Sequence, residues 1–358
     1  MTPATTATMM DVPLTLEAIV SRAESAGDQA EIVSRRPDKR VTRTTYPAVA
    51  ARARRLARAL VGSGVAPGDR VATLMWNHSE HLECYLGIPL SGAVMHTLNL
   101  RLHPLEIAYI AKDARDRYVI VDDCLLPLLQ KTMAAGAAFE RVFVVGEVPE
   151  GYESYEALLA GAPDDAALPS LDERAAAATC YTSGTTGVPK GVVYSHRSTI
   201  LHSLVSALPD SLDLSRGDTI MPVVPMFHVN AWGIPYGAAL AGSKMVLPGR
   251  HLDGASLAAL FNQEGVTVGC GVPTVWLGLL QHLRASGEKL TTIRRIMTGG
   301  SAAPPLLIEA FRDEYDAVVE HGWGMTELSP VGTYNAPKPA QSGLTGGAAV
   351  RHTLKQGR

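Results

Sequence analysis

The stretch CYTSGTTGVPKGVVYSH (residues 180–196) gathers hydroxyls at Thr182, Ser183, Thr185 and Thr186, two glycines at Gly184 and Gly187, and the cation Lys190. Hydroxyls, a close-approaching backbone and one flexible point charge suit a polyphosphate: they can wrap its outer phosphates and stabilise a departing pyrophosphate. A Walker A loop is excluded on three counts. Counted from Gly184, its sixth position is Pro189, which has no N–H to donate; Lys190 is followed by Gly191 instead of Ser or Thr; and GVVYSH, being β-branched, reads as a strand where a helix is required. A strand–loop–strand remains. SGTTG alone fits an ordinary polar hairpin turn, but the whole run YTSGTTGVPKG does not.

Three more segments follow in order: MFHVNAWG (226–233), GGSAAP (299–304) and GWGMTE (322–327). A lone histidine among apolar neighbours, as His228 is, is usually a packed residue. GGSAAP by itself reads as a strand-to-helix loop with Pro304 at the helix start, and Glu327 by itself as a surface carboxylate. With YTSGTTGVPKG, the four segments resemble the motifs of the adenylate-forming superfamily, which comprises acyl-CoA synthetases, luciferases and adenylation domains. The resemblance runs from about residue 40 onward, and FHVNAW resembles the medium- and long-chain fatty acyl-CoA synthetase branch in particular.

The resemblance implies a role for each residue. Thr182, Ser183, Gly184, Thr185, Thr186, Gly187 and Lys190 would bind the phosphates of ATP. Gly300, with Ser301 or Ala302, would approach the adenosine and acyl chain, and the segment His321, Gly322, Trp323, Gly324 would hold the adenine, with the Trp323 indole stacked on it. Thr326 would bond the α-phosphate; Glu327, with Thr182, would hold Mg²⁺. His228, Val229 and Trp232 would face the acyl substrate, Trp232 gating its tunnel. Lys190, Thr326, Glu327 and His228 are thus the expected catalytic residues. The expected reaction forms acyl-AMP and pyrophosphate from a carboxylate and ATP, after which the thiol of coenzyme A displaces AMP. Medium-to-long chain acids lead as substrates, with short acids, including sulfur-bearing propionates, behind them. A non-catalytic nucleotide-binding remnant is the rival from another class. A luciferase-like oxygenase or a peptide-synthetase module fits less well, because FHVNAW offers no carboxylate for a substrate amine.

Positioning these residues requires an α/β scaffold. Short β-rich runs (DRVATLMW, DRYVIVDD, RVFVVG, SKMVLPG, VTVGCG, IRRIMTGG, AVVEHGW) alternate with amphipathic helices from about residue 43. That pattern predicts two mainly parallel β-sheets sandwiched by helices, in the resemblance the large N-terminal domain of the adenylate-forming fold. The 358 residues suggest two lobes, 1–170 and 171–358, joined by the polar, alanine-rich run 161–179. Residues 340–358 show no strong periodicity. The ribose-binding Asp, hinge and small C-terminal domain of relatives cannot be located after Glu327. The expectation is an α/β domain incomplete at its C-terminus, with ligase activity weakened or absent.

The charge balance, 32 Lys and Arg against 35 Asp and Glu, gives no reason to expect a nucleic-acid partner. The arginines of RARRLAR (Arg52, Arg54, Arg55, Arg58) lie at helical spacing with Val49, Ala53, Leu56 and Leu60 and read as a solvated helix face. Cys84, Cys124, Cys180 and Cys270 lie far apart and read as small buried thiols of a reducing compartment. No basic leader and no transmembrane run is recognised, so the expected location is cytoplasmic. Relatives of this branch often dimerise, which extends the resemblance to a homodimer.

Overall fold

The computed structural model describes residues 9, 11–25, 30–182, 187–335, 338–341 and 343–357. Its strands are β1 (Glu31–Arg35), β2 (Val41–Thr45), β3 (Arg70–Leu74), β4 (Val94–Thr97), β5 (Asp116–Asp122), β6 (Arg141–Val145), β7 (Glu153–Ser154), β8 (Ala176–Tyr181), β9 (Gly191–Ser195), β10 (Thr219–Pro222), β11 (Lys244–Leu247), β12 (Val268–Gly271), β13 (Arg295–Thr298), β14 (Val318–Gly324) and β15 (Val331–Tyr334). They form one sheet of order β15-β14-β13-β12-β10-β11-β1-β2 and a second of order β7-β6-β5-β3-β4-β8-β9. All pairs are parallel except three at sheet edges: β1–β2, β8–β9 and β14–β15. The expected pair of mainly parallel, helix-covered sheets is what the chain forms.

Alternation along the strands explains the layering. Val71, Tyr118 and Ile120 of one sheet and Ile32, Ile220 and Met245 of the other enter a shared central core. Their neighbours Ala72, Val119 and Val121, or Val33, Met221 and Val246, face separate outer cores. The helices Tyr46–Gly62 and Ser79–Leu90 fill the space between the sheets. The second of these is buried almost all round, as a helix lying between two sheets must be.

Three expectations change. The boundary between residues 170 and 171 does not separate the sheets: β1 and β2 complete the sheet built from the second half, while β8 and β9 complete that of the first. Two arginines of the face expected to be solvated on Tyr46–Gly62 are ion-paired, Arg52 on Glu83 and Glu156 (2.6 Å each) and Arg54 on Glu17 (2.6 Å) and Glu24, while Arg55 stays exposed. The C-terminal run holds a helix, Gly346–Thr353. Its two leading glycines weaken helix propensity. Tertiary contacts supply what propensity does not: Val350 is buried in an outer core, and the Asn335 amide donates to the carbonyls of His352 (2.5 Å) and Lys355 (2.6 Å).

Candidate active site

The described residues enclose a cavity of about 490 Å³ between the two sheets' edge hairpins. Thr182 and Lys190, at the mouth of β8–β9, face it from one side. Gly322, Trp323, Gly324, Thr326 and Glu327, at the β14–β15 turn, face it from another. His228, Val229, Trp232 and Gly300 complete the expected set on its wall. Gly187, Ser301, Ala302 and His321 do not line it: the first three are exposed, and His321 is buried beside the Ser301 carbonyl (3.3 Å). Ser183, Gly184, Thr185 and Thr186 lie outside the described residues. The sequence reading missed the apolar Leu212, Met297 and Val331 and the hydroxyl-bearing Thr298 and Tyr334, which also line the cavity.

Close packing shapes the nucleotide-side turn. A Cβ on Gly324 would sit 2.1 Å from the Pro330 carbonyl oxygen, so only glycine lets the two arms of the turn meet. Gly299 is similarly constrained: a Cβ there would come 3.0 Å from the Gly322 oxygen and 3.6 Å from the Trp232 ring. Trp323, by contrast, stays 44 % exposed and lines the cavity. A large exposed aromatic on a concave wall points to a ligand more strongly than a scattered surface leucine does.

The segment after β10 takes an unusual path. Val229, Asn230, Ala231 and Trp232 have φ of 47°, 47°, 47° and 58°, and Gly233 continues at 71°. Four consecutive non-glycine residues in the left-handed region each cost about 1–2 kcal/mol, and the β-branched Val229 suits it least. The surroundings must hold such a turn. Asn77, between β3 and the helix Ser79–Leu90, donates to the Pro222 and Val224 carbonyls (2.9 Å each) and accepts from the Met226 N–H (2.8 Å). The Tyr85 hydroxyl donates to the Met226 carbonyl. One sheet's helix thus fixes the approach to His228 on the other. No motif marked Asn77; a buried amide next to a strand end was the available signal.

The charges follow from burial. Neighbouring protein, and after it the Arg101 cation, push His228 below the usual imidazole range, so its ring is neutral at pH 7 although one side is open. Lys190 and Glu327 have no side-chain ion-pair partner among the described residues, which leaves both charges for a ligand. Behind Tyr334, burial pushes the Glu320 carboxyl up to about 6, against the Tyr334 hydroxyl that donates to it and the nearby Arg295. The Glu327 carboxylate and the Thr182 hydroxyl, from two sides of the cavity, are hard oxygen donors of the kind Mg²⁺ carried in with a polyphosphate takes.

Comparison with known proteins bears on this geometry. A family model described as AMP-binding enzyme matches residues 20–354. The medium-chain-fatty-acid–CoA ligase of Ectopseudomonas oleovorans is 44 % identical over 98 % of this chain, and the long-chain-fatty-acid–CoA ligase of Thermus thermophilus 50 % over 92 %. The match spans 65 % of the first relative and 61 % of the second. Among solved structures, the anthranilate CoA ligase AuaEII in complex with anthranoyl-AMP superposes with a TM-score of 0.82 at 25 % identity, over 91 % of this chain and 63 % of that one.

Proposed function

We infer what the protein does from one premise: the chain belongs to the AMP-binding enzyme family. On that premise the cavity is the site of an AMP-forming acid–thiol ligase that activates a fatty acid through acyl-AMP. The observation that carries this reading is that Thr182 and Lys190 share one cavity with Trp323, Thr326 and Glu327.

The mechanism is positioning and charge neutralisation. Adenine rests on the Trp323 indole, with Gly322, Gly324 and Gly300 around the nucleoside, while Ser301, Ala302 and His321 lie off the cavity wall. The loop from Thr182 through Ser183, Gly184, Thr185, Thr186 and Gly187 to Lys190 holds the β- and γ-phosphates, and the Thr326 hydroxyl bonds the α-phosphate. Glu327 and Thr182 would hold Mg²⁺, which when bound neutralises phosphate charge. A substrate carboxylate oxygen attacks the α-phosphorus, the bond to pyrophosphate breaks, and Lys190 compensates the charge that leaves. The thiolate of coenzyme A then attacks the acyl carbon and AMP departs. Neutral His228 admits the carboxylate end without forming a fixed ion pair, while Val229 and Trp232 border the acyl chain, Trp232 closing its tunnel until ATP arrives.

Medium-to-long chain acids are the leading substrates and short acids the second choice. The cytoplasm is the proposed location: all four cysteines are free thiols, which a reducing compartment permits, and no described helix is long and apolar enough to cross a membrane. A homodimer belongs to the same proposal and is read by sedimentation. The deciding experiment gives the purified chain ATP, Mg²⁺, coenzyme A and acids of graded length, and measures ATP affinity, pyrophosphate release and acyl-CoA. Acid-dependent pyrophosphate release is expected. ATP binding without it would favour a non-catalytic nucleotide-binding protein, and no ATP binding at all would reject the site.

A further inference from the structure

The two strands beneath the phosphate-side loop each send one buried side chain across to a different wall of the cavity. Cys180, on β8, and Tyr194, on β9, share the core-facing side of the hairpin, Cys180 opposite Val192 and Tyr194 opposite Ala178. The Tyr194 hydroxyl donates to the backbone carbonyl of Thr326 at 2.7 Å, in a buried contact 132 residues apart in sequence. The Cys180 thiol donates to Asn230 Oδ1 at 3.2 Å, at the centre of the left-handed turn that carries Val229 and Trp232. Thr97, from β4, lies 3.4 Å from the same sulfur. Cys180, Tyr194 and Asn230 are at most 6 % exposed and none lines the cavity, so they act through the residues they hold.

We propose that Cys180 and Tyr194 are positioning residues that tie the phosphate-side hairpin separately to the acyl-side turn and to the nucleotide-side turn. The geometry assigns them different clients. Tyr194 anchors the carbonyl of Thr326 and with it the direction in which Thr326 and Glu327 face. Cys180 anchors Asn230 and so opposes relaxation of a turn whose backbone lies in the left-handed region and tends to leave it. Through this hairpin, a ligand gripping the loop above it would be felt by both other walls.

The consequence for substrates rests on the reading given under Proposed function, but the first test does not. Backbone amide exchange is followed by mass spectrometry on the ligand-free full chain. Tyr194→Phe is expected to speed exchange in residues 325–330 about fivefold, the scale of one ordinary hydrogen bond, with 228–233 changed less than about twofold. Cys180→Ala is expected to do the reverse, and Cys180→Ser, which keeps a donor, to restore the parent pattern at 228–233. If both variants speed both segments alike, or neither speeds its own, the assignment is wrong. Should Tyr194→Phe fail to fold, the Ala and Ser variants of Cys180 decide the matter between them. Binding follows: ATP affinity should fall about fivefold in Tyr194→Phe with fatty-acid affinity unchanged, and the converse in Cys180→Ala. A parent chain that binds no ATP while the exchange pattern holds would reject the ligase reading alone; ATP binding with no segment-specific exchange would reject this inference alone.

Discussion

The two edge hairpins that face each other across the cavity are built in opposite ways. The β14–β15 turn is packed against itself: Gly324 touches Pro330, the Tyr334 hydroxyl reaches across to Glu320, and Tyr194 holds the Thr326 carbonyl. At the β8–β9 mouth, the Thr182 N–H donates to the Lys190 carbonyl (3.0 Å), beyond which Val188 is exposed and the Lys190 ammonium is unpaired among the described residues. A wall that must present one face to a flat aromatic base gains from rigidity, because orientation is settled before binding. A cation that must follow a phosphate as it leaves gains from a long, freely rotating stem. On the proposed reading, β14–β15 would serve ground-state nucleotide binding and β8–β9 stabilisation of the departing charge.

Lys190→Ala should have the largest effect. It is expected to lower the rate of pyrophosphate release by about 10²–10³, the usual loss for one electrostatic contact to a developing charge, with the midpoint of unfolding unchanged. A variant that lost ATP affinity and kept its rate would reverse the assignment of the two hairpins. Next comes Gly324→Ala, whose new methyl meets backbone and not a movable side chain. About 3 kcal/mol of stability should go, together with nucleotide binding; a chemical-denaturation curve like the parent's would show that the turn is not packed as described.

Glu320 gives a pH test of the same hairpin. Its native carboxyl titrates at about 6, above the reference value of 4.5, so the native state holds this proton more tightly than the unfolded chain does. That contribution to stability is fully present below 4.5 and is lost as pH rises to about 6. Glu320→Gln, neutral throughout and still able to accept from Tyr334, should gain about 1–2 kcal/mol on the parent between those limits. Urea midpoints at pH 4.5 and 7 measure it, and an equal gap at both values would refute it. The smallest effect is expected of Trp323→Ala: ATP binding weaker by about 1 kcal/mol, with the pyrophosphate-release rate at saturating ATP nearly unchanged.

The residues that carry chemistry were easy to read because phosphates and metals demand particular atoms. Hydroxyls, glycines and Lys190 in one loop, and Trp323, Thr326 and Glu327 in another, declare themselves by type and spacing. The alternating apolar runs were as plain, since a strand buried on both faces leaves little choice of residue. Other elements left no such mark. β10 is four residues ending in proline, β2 is the polar edge run VTRTT held as a hairpin on β1, and Gly346–Thr353 opens on two glycines; each depends on neighbours for what its own residues do not supply. The helix Ile234–Ala241 follows directly on the left-handed turn, with Pro235 in its first turn and Gly242 capping its end as the local signals.

From the chain alone came the class of sheet, the phosphate-type loop, and the identity of nearly every polar group on the cavity wall. All of these follow from local demands, one atom type or one side-chain period at a time; Thr298 and Tyr334, which make no such demand, were missed. Folding added the relations among distant segments: the crossing of β1–β2 and β8–β9 between sheets, the left-handed path through Asn230, and the Tyr194 and Cys180 contacts that join three loops around one space. No local pattern encodes these, because each hydrogen bond has partners separated by 50 to 132 residues. Its energy exists only once the packed core has brought them together.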